Sequence, residues 1–208
     1  MSTGTITIKG NYVPGFYGLV ICGGSSSRMG TDKSLLTYHN VPQRYHLCEM
    51  LQPFCEKVFL SFNDVQINDS SWQTLPDLPA YENCGPMAAL LTAFTQFPDK
   101  DFLIVGCDYP FLKDRDIADL LSASKNRGTI TFYNECEDIY EPLLGYYSCN
   151  DADELKKMHA RKQYSLQRFL KMISAGKFYP SDPRIIQSID TKEGYIMTKK
   201  TFHSVKSV

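Results

Sequence analysis

No apolar run in this sequence approaches the about 20 residues that a membrane-spanning helix requires, so no membrane partner is expected. The opening residues, MSTGTITIKGNYVPGF, lack the apolar core of a secretory signal. Cysteine is present seven times, an odd count. No CxxC pair occurs and no Cys/His set stands at zinc spacing, which argues against a disulfide framework and a structural zinc. The four histidines, His39, His46, His159 and His203, fall on separate segments with no metal spacing. No GxSxG elbow is present and no cysteine has an evident base beside it, so serine and cysteine nucleophiles are not indicated. Low-complexity tracts are absent. A formal net charge of −1 gives no overall attraction to nucleic acid or acidic lipid. Together these absences point to a soluble protein of a reducing, cytoplasmic compartment.

What is present is enough for one large domain. The chain has 208 residues, 43% of them hydrophobic. Its near-neutral total hides an asymmetry. Residues 1–149 hold 10 Lys/Arg against 17 Asp/Glu (net −7), and residues 150–208 hold 12 against 6 (net +6). The basic end is either a solvated face or a source of cations for a small phosphate-bearing substrate.

Continuous apolar runs over Tyr17–Cys22, Lys57–Phe62 and Asp101–Gly106 read as strands buried on both faces. Helical spacing follows over Arg44–Leu51, Met87–Phe97 and Asp114–Ser124, with Gly85-Pro86 opening the second of these and Pro86 at its first helical position. Alternating strands and helices predict right-handed βαβ units on a mostly parallel sheet. Val65–Pro79 reads as turn-rich, and a short strand over Thr5–Lys9 precedes everything else. Thr129–Tyr133 and Pro142–Tyr147 predict a hairpin, Asp151–Arg161 and Ser165–Ile173 helices, and Ile185–Ile189 a last strand.

Between the first strand and the first helix runs GLVICGGSSSRMGTDKSLL (residues 18–36). A glycine-rich turn at that place exposes backbone N–H groups that favour phosphate oxygens. It matches neither named phosphate loop. Gly23-Gly24-Ser25 breaks GxGxxG, and five residues between Gly24 and Gly30 break the P-loop spacing. What remains is bare backbone with two cations: Arg28, a planar fork, and Lys33, a mobile point charge. On composition alone an ordinary surface turn is an equal reading.

The run Gly23-Gly24-Ser25-Ser26-Ser27-Arg28-Met29-Gly30-Thr31-Asp32-Lys33-Ser34-Leu35-Leu36 resembles the signature loop of the nucleotidyltransferase superfamily. Its Gly-Gly pair and Asp-Lys dipeptide resemble the molybdenum cofactor (molybdopterin) guanylyltransferase family most. The likeness extends to Gly85-Pro86-Met87-Ala88-Ala89-Leu90, Cys107-Asp108-Tyr109-Pro110-Phe111-Leu112, Glu141-Pro142-Leu143, the late helix around Ser165-Leu166 and Phe169-Leu170, and Ile189-Asp190-Thr191. The resemblance implies a single-domain, three-layer Rossmann-like α/β fold with a mostly parallel sheet and a small β-hairpin element. After an N-terminal extension over residues 1–16 comes the transferase domain, with a nucleotide half at about 17–125 and a pterin-facing half at about 126–208. It further implies transfer of GMP from GTP to molybdopterin with release of pyrophosphate, aided by Mg²⁺. Molybdenum-insertion and acceptor proteins are the implied partners. A cytidylyltransferase is the alternative within the same chemistry, and a non-catalytic nucleotide-binding protein the alternative outside it.

For the site, the resemblance implies nucleotide binding by Cys22, Gly23, Gly24, Ser25, Arg28, Gly30, Lys33, Asp77 and Gly85, catalysis by Arg28, Lys33 and Asp108, and metal binding by Asp108. Physical reasons stand beside it. Asp108 follows a buried strand at the end where open α/β sheets bind ligands, although Asp is also common in turns before proline. Asn63 and Ser61, just past the second strand, are placed to read a base edge or to serve the loop itself. Asp190, where the family has asparagine, is a candidate second metal ligand or the cap of a final helix that Gly194 weakens. Tyr140 to Tyr147 either stack on a pterin or pack the hairpin onto the core.

Overall fold

The apolar run FYGLVI forms β1 (Phe16–Ile21), buried at all six positions. In chain order there follow α1 (Gln43–Leu51), β2 (Lys57–Phe62), β3 (Gln73–Pro76), α2 (Met87–Gln96), β4 (Asp101–Gly106) and α3 (Asp114–Ser124). The second part of the chain adds β5 (Ile130–Asn134), β6 (Ile139–Tyr147), α4 (Ala152–Ala160), α5 (Leu166–Met172), β7 (Gly176–Phe178) and α6 (Lys192–Ser204). This computed structural model describes residues 15–22, 32–63, 71–125 and 127–204. The expected strand over Thr5–Lys9 lies outside them.

The seven strands of the described residues join one sheet in the order β3-β2-β1-β4-β6-β5-β7. β1 pairs in parallel with both β2 and β4, and β2 with β3. Because β6 is antiparallel to both β4 and β5, while β5 is parallel to β7, β6 alone runs against the others. The predicted hairpin is therefore part of the main sheet. It turns through Asp138, whose φ of 55° is left-handed, a state Asp tolerates better than most side chains.

Helices cover both faces. On one, Met87, Leu90, Leu91 and Phe94 of α2 pack with Leu155 and Met158 of α4 and with Leu166, Phe169 and Leu170 of α5. On the other, Leu47, Cys48, Met50 and Leu51 of α1 pack with Ile117 and Leu120 of α3. That is the expected three-layer α/β arrangement.

Four local expectations are corrected. The turn-rich Val65–Pro79 contains the edge strand β3, which is short and polar and ends in Pro76, a residue an edge tolerates because the missing N–H serves no further neighbour. Ile185–Ile189 is not a strand. Pro183 opens a 3-10 turn over Pro183–Ile186, and Ile185 and Ile189 are buried without joining the ladder; the last strand is β7. Gly194 does not prevent a terminal helix, because its N–H bonds Thr191 Oγ1 at 3.1 Å, which caps α6. Pro86 stands one place earlier than predicted, capping α2 rather than occupying its first turn.

Where β5 and β6 cross, a side chain at Gly145 has no room: an added Cβ would lie 2.5 Å from Thr131 Cγ2 and 2.8 Å from the Ile130 carbonyl oxygen. Since backbone cannot yield as a flexible side chain can, Gly145→Ala is expected to cost about 1–3 kcal/mol, read as a lower denaturant midpoint. An unchanged midpoint would contradict this packing.

The path of the chain positions the site. From β1 it winds outward through β2 to β3, then returns to place β4 on the other side of β1. Open α/β sheets bind ligands at such a reversal, beyond the C-terminal ends of the strands.

Candidate functional site

Two groups of side chains lie past those strand ends. Gly23, Gly24, Ser25, Arg28 and Gly30 fall outside the described residues. Cys22 follows β1 directly, its N–H bonded to the Ser61 carbonyl at 2.9 Å and its thiol 3.5 Å from that of Cys107. After the loop, Asp32 Oδ1 accepts from Ser34 N at 2.9 Å and from Ser34 Oγ at 2.8 Å. This caps the 3-10 turn that begins at Lys33, and so sets the direction in which that lysine leaves the backbone.

Lys33 reaches Asp190, with Nζ 2.7 Å from Oδ1. Ser188 Oγ lies 2.9 Å from Asp108 Oδ2 and 3.2 Å from Asp190 Oδ1. A main-chain bond, Ile189 N to the Asp108 carbonyl at 3.0 Å, holds the late segment against the end of β4. Lys33, Asp108, Ser188 and Asp190 thus form the first group. Ser188 was not singled out from sequence. Its place two residues before Asp190 was the available signal, but the contact depends on the tertiary return of the chain.

Asp108 is packed tightly. A Cβ at Gly106 would fall 2.7 Å from Asp108 Oδ1, so glycine is what lets the carboxylate fold back over the strand. Oδ1 is closed off from solvent and has no hydrogen-bond partner among the described residues. Burial pushes the Asp108 pKa up, and Asp190 adds to this; the Ser188 bond and Lys33 oppose it without cancelling it. Nearby, the buried Tyr109 donates to Glu141 Oε2 at 2.8 Å, bringing the Glu-Pro element of β6 to this side of the sheet.

The second group lines a cavity of about 690 Å³ beside α2. Ser61, Asn63, Asp77, Gly85 and Ala89 contribute to it, as do Glu82 and Asn83, which sequence reasoning passed over. Asp77 follows β3, anchored by its N–H to the Phe62 carbonyl at 2.9 Å. Its Oδ1 is closed off from solvent with no partner among the described residues, and burial raises its pKa to about 6. Gly85, at φ 57°, makes the left-handed step that brings the chain back into α2.

Tyr140 and Tyr147 are buried in the core, and their hydroxyls donate to the Ala175 and Pro142 carbonyls. The hairpin-packing reading of these residues therefore holds. His46 stacks on His39 with ring centroids 3.9 Å apart and is held largely neutral, its pKa lowered to about 4 by burial and by its neighbour. Among the described residues no three or more His, Cys, Asp or Glu gather as a metal cluster, and no helix is long and apolar enough to cross a membrane.

The model of the MobA-like NTP transferase domain matches residues 18–177, which contain Lys33, Asp108 and all the residues that line the cavity, while Ser188 and Asp190 lie beyond it. The chain belongs to this family. A molybdenum cofactor biosynthesis bifunctional protein of Synechocystis is 29% identical over 181 residues, 86% of this chain. The chain spans 52% of that relative's length. A probable molybdenum cofactor guanylyltransferase of Flavobacterium johnsoniae is 28% identical over 148 residues, covering 67% of this chain and 76% of its own. Among solved structures, the molybdopterin-guanine dinucleotide biosynthesis protein A of Archaeoglobus fulgidus superposes with a TM-score of 0.70 at 18% identity, covering 91% of this chain and all of its own. That likeness bears on the fold, a nucleotidyltransferase one.

Proposed function

We propose that the protein transfers GMP from GTP to molybdopterin and releases pyrophosphate. The names of the relatives support the reaction class. The observation that carries the nucleotide is Asp77. An ionised carboxylate only accepts hydrogen bonds, and the guanine edge offers it two adjacent donors, N1–H and the N2 amine. The cytosine edge offers one amine beside a lone pair at N3, which a carboxylate repels. An unpartnered buried acceptor is costly until a ligand satisfies it, so the Asp77 end of the cavity favours guanine. Asn63 stands at the same opening as a second polar reader.

Transfer joins a phosphate oxygen of the acceptor to the α-phosphorus of GTP as the bond to pyrophosphate breaks. Neither partner needs a covalent link to protein, so the chain's task is alignment and charge stabilisation. Lys33, with Arg28 from the glycine loop, would neutralise the triphosphate and the departing pyrophosphate. The backbone of Cys22, Gly23, Gly24, Ser25 and Gly30 would line the phosphates, and Gly85 would bring the start of α2 close to the nucleoside. Asp108 would hold Mg²⁺: its sealed, unpartnered Oδ1 is a hard anionic oxygen, and Mg²⁺ takes one or two carboxylates together with water and phosphate oxygens. When bound, that ion supplies charge neutralisation between phosphate oxygens. The acceptor would approach from the half beyond residue 126, where Glu141 lies near Asp108.

The test is nucleotide choice. Asp77→Asn is expected to reduce the preference for GTP over CTP by about 10–100-fold, the size of one good base-edge contact. Wild-type GTP affinity should also weaken as pH falls below about 6, because the acid form of Asp77 loses an acceptor, and the Asn variant should not show this. Unaltered discrimination in the variant would remove Asp77 from the base site. Pyrophosphate release with CTP but not GTP would replace the guanylyl reading with the cytidylyl one.

A further inference from the structure

The crevice lysine already has an anionic partner belonging to the chain itself. Lys33 and Asp190 meet across 157 positions of sequence, and both remain partly open to water, with side chains 26% and 51% exposed. Asp190 is held in place from either side: Ile189 N is bonded to the end of β4, and Thr191 caps α6. Between the two carboxylates stands Ser188, whose single hydroxyl proton serves one of them at a time and lies closer to Asp108 than to Asp190. A partly exposed ion pair of this kind is weakly held and easily exchanged. A polyphosphate, carrying several charges, is a stronger partner for the ammonium than one carboxylate.

We propose that Asp190 is a positioning residue that keeps Lys33 at the mouth of the crevice until a nucleoside triphosphate displaces it. The displacement leaves Asp108 and Asp190 close together without the lysine's charge, an arrangement that favours a divalent cation. Nucleotide and metal binding are then coupled through one ion pair: the triphosphate takes the ammonium, and the cation replaces it. By linkage, each ligand strengthens the other by the same factor. The inference rests on the nucleotide reading above, and it gives Asp190 a role other than that of a simple second ligand.

The experiment is titration calorimetry of GTP in EDTA and in Mg²⁺ with four proteins: wild type, Asp190→Asn, Lys33→Met and the double variant, each checked for cooperative unfolding. Without Mg²⁺, Asp190→Asn is expected to bind GTP about 2–5-fold more tightly than wild type, because no counter-ion must be displaced. In the Lys33→Met background the same substitution should bring a clearly smaller gain, since the lysine it would release is gone. The gain in GTP affinity brought by Mg²⁺ should shrink in Asp190→Asn. An equal gain in both backgrounds would reduce Asp190 to a repulsive charge and overturn the proposal, as would no gain at all. An Asp190→Asn protein with unaltered affinity in EDTA and a raised Mg²⁺ requirement would make Asp190 a plain ligand, overturning it as well. Wild-type protein that binds no GTP in either buffer would overturn the nucleotide reading and this inference together, and that failure is seen in the wild type alone.

Discussion

Asp108→Asn is expected to lower kcat for pyrophosphate release by about 10²–10³ while making the protein more stable. The two effects have one origin. Folding encloses the Asp108 carboxylate and leaves Oδ1 without a partner among the described residues, and its pKa is raised in consequence. A folded-state pKa above the unfolded value means that the group's stabilising contribution is complete below the unfolded pKa and is lost as pH rises through the folded one. At neutral pH the charge therefore works against the fold, and an uncharged isostere relieves it. That relief should be read as a raised Tm of the variant at neutral pH. The gain should fade toward acid pH, where Asp108 is itself protonated. Full turnover in the variant would remove Asp108 from the chemistry. Lost turnover accompanied by a lowered Tm would show a structural role instead.

Lys33→Ala should lower kcat by a similar factor, about 10²–10³, with little change in Tm or in far-ultraviolet circular dichroism. Its pair with Asp190 is partly exposed and contributes about 0–1 kcal/mol to stability, so its loss leaves the fold intact. The turn that carries it is capped by Asp32 rather than by the lysine, so the backbone remains in place. Lys33→Arg keeps the charge but replaces a compact ammonium with a broader planar group, and should recover part of the rate. An Ala variant with near-wild-type turnover would end the assignment.

The strands at the centre of the sheet were legible because they are buried on both faces. FYGLVI, KVFLSF and DFLIVG are apolar without alternation, and each forms its strand within a residue of the sequence reading. The edges were less legible. β3 is short, polar and proline-ended, and its register depends on the neighbour to which it is bonded. The late apolar residues Ile185 and Ile189 have strand-like composition but are buried without pairing in the sheet.

For the site, motif and resemblance singled out Lys33, Asp77, Asn63, Gly85 and Asp108 as candidates, and the structure places Lys33 with Asp108 in one group and Asn63, Asp77 and Gly85 around the cavity. Local pattern also predicted the succession of strands and helices, because propensity, periodicity and turn chemistry act over a few residues. Which groups meet was decided only by the tertiary structure. The return of residues 185–190 to the end of β4 brings Ser188 onto Asp108 and Asp190 onto Lys33, contacts spanning 80 and 157 positions. The enclosure of Asp77 and Asp108, which perturbs both carboxylates, likewise arises from packing by distant elements. Ion pairs, orphaned oxygens and raised pKa values depend on neighbours in space, and no window of sequence contains them.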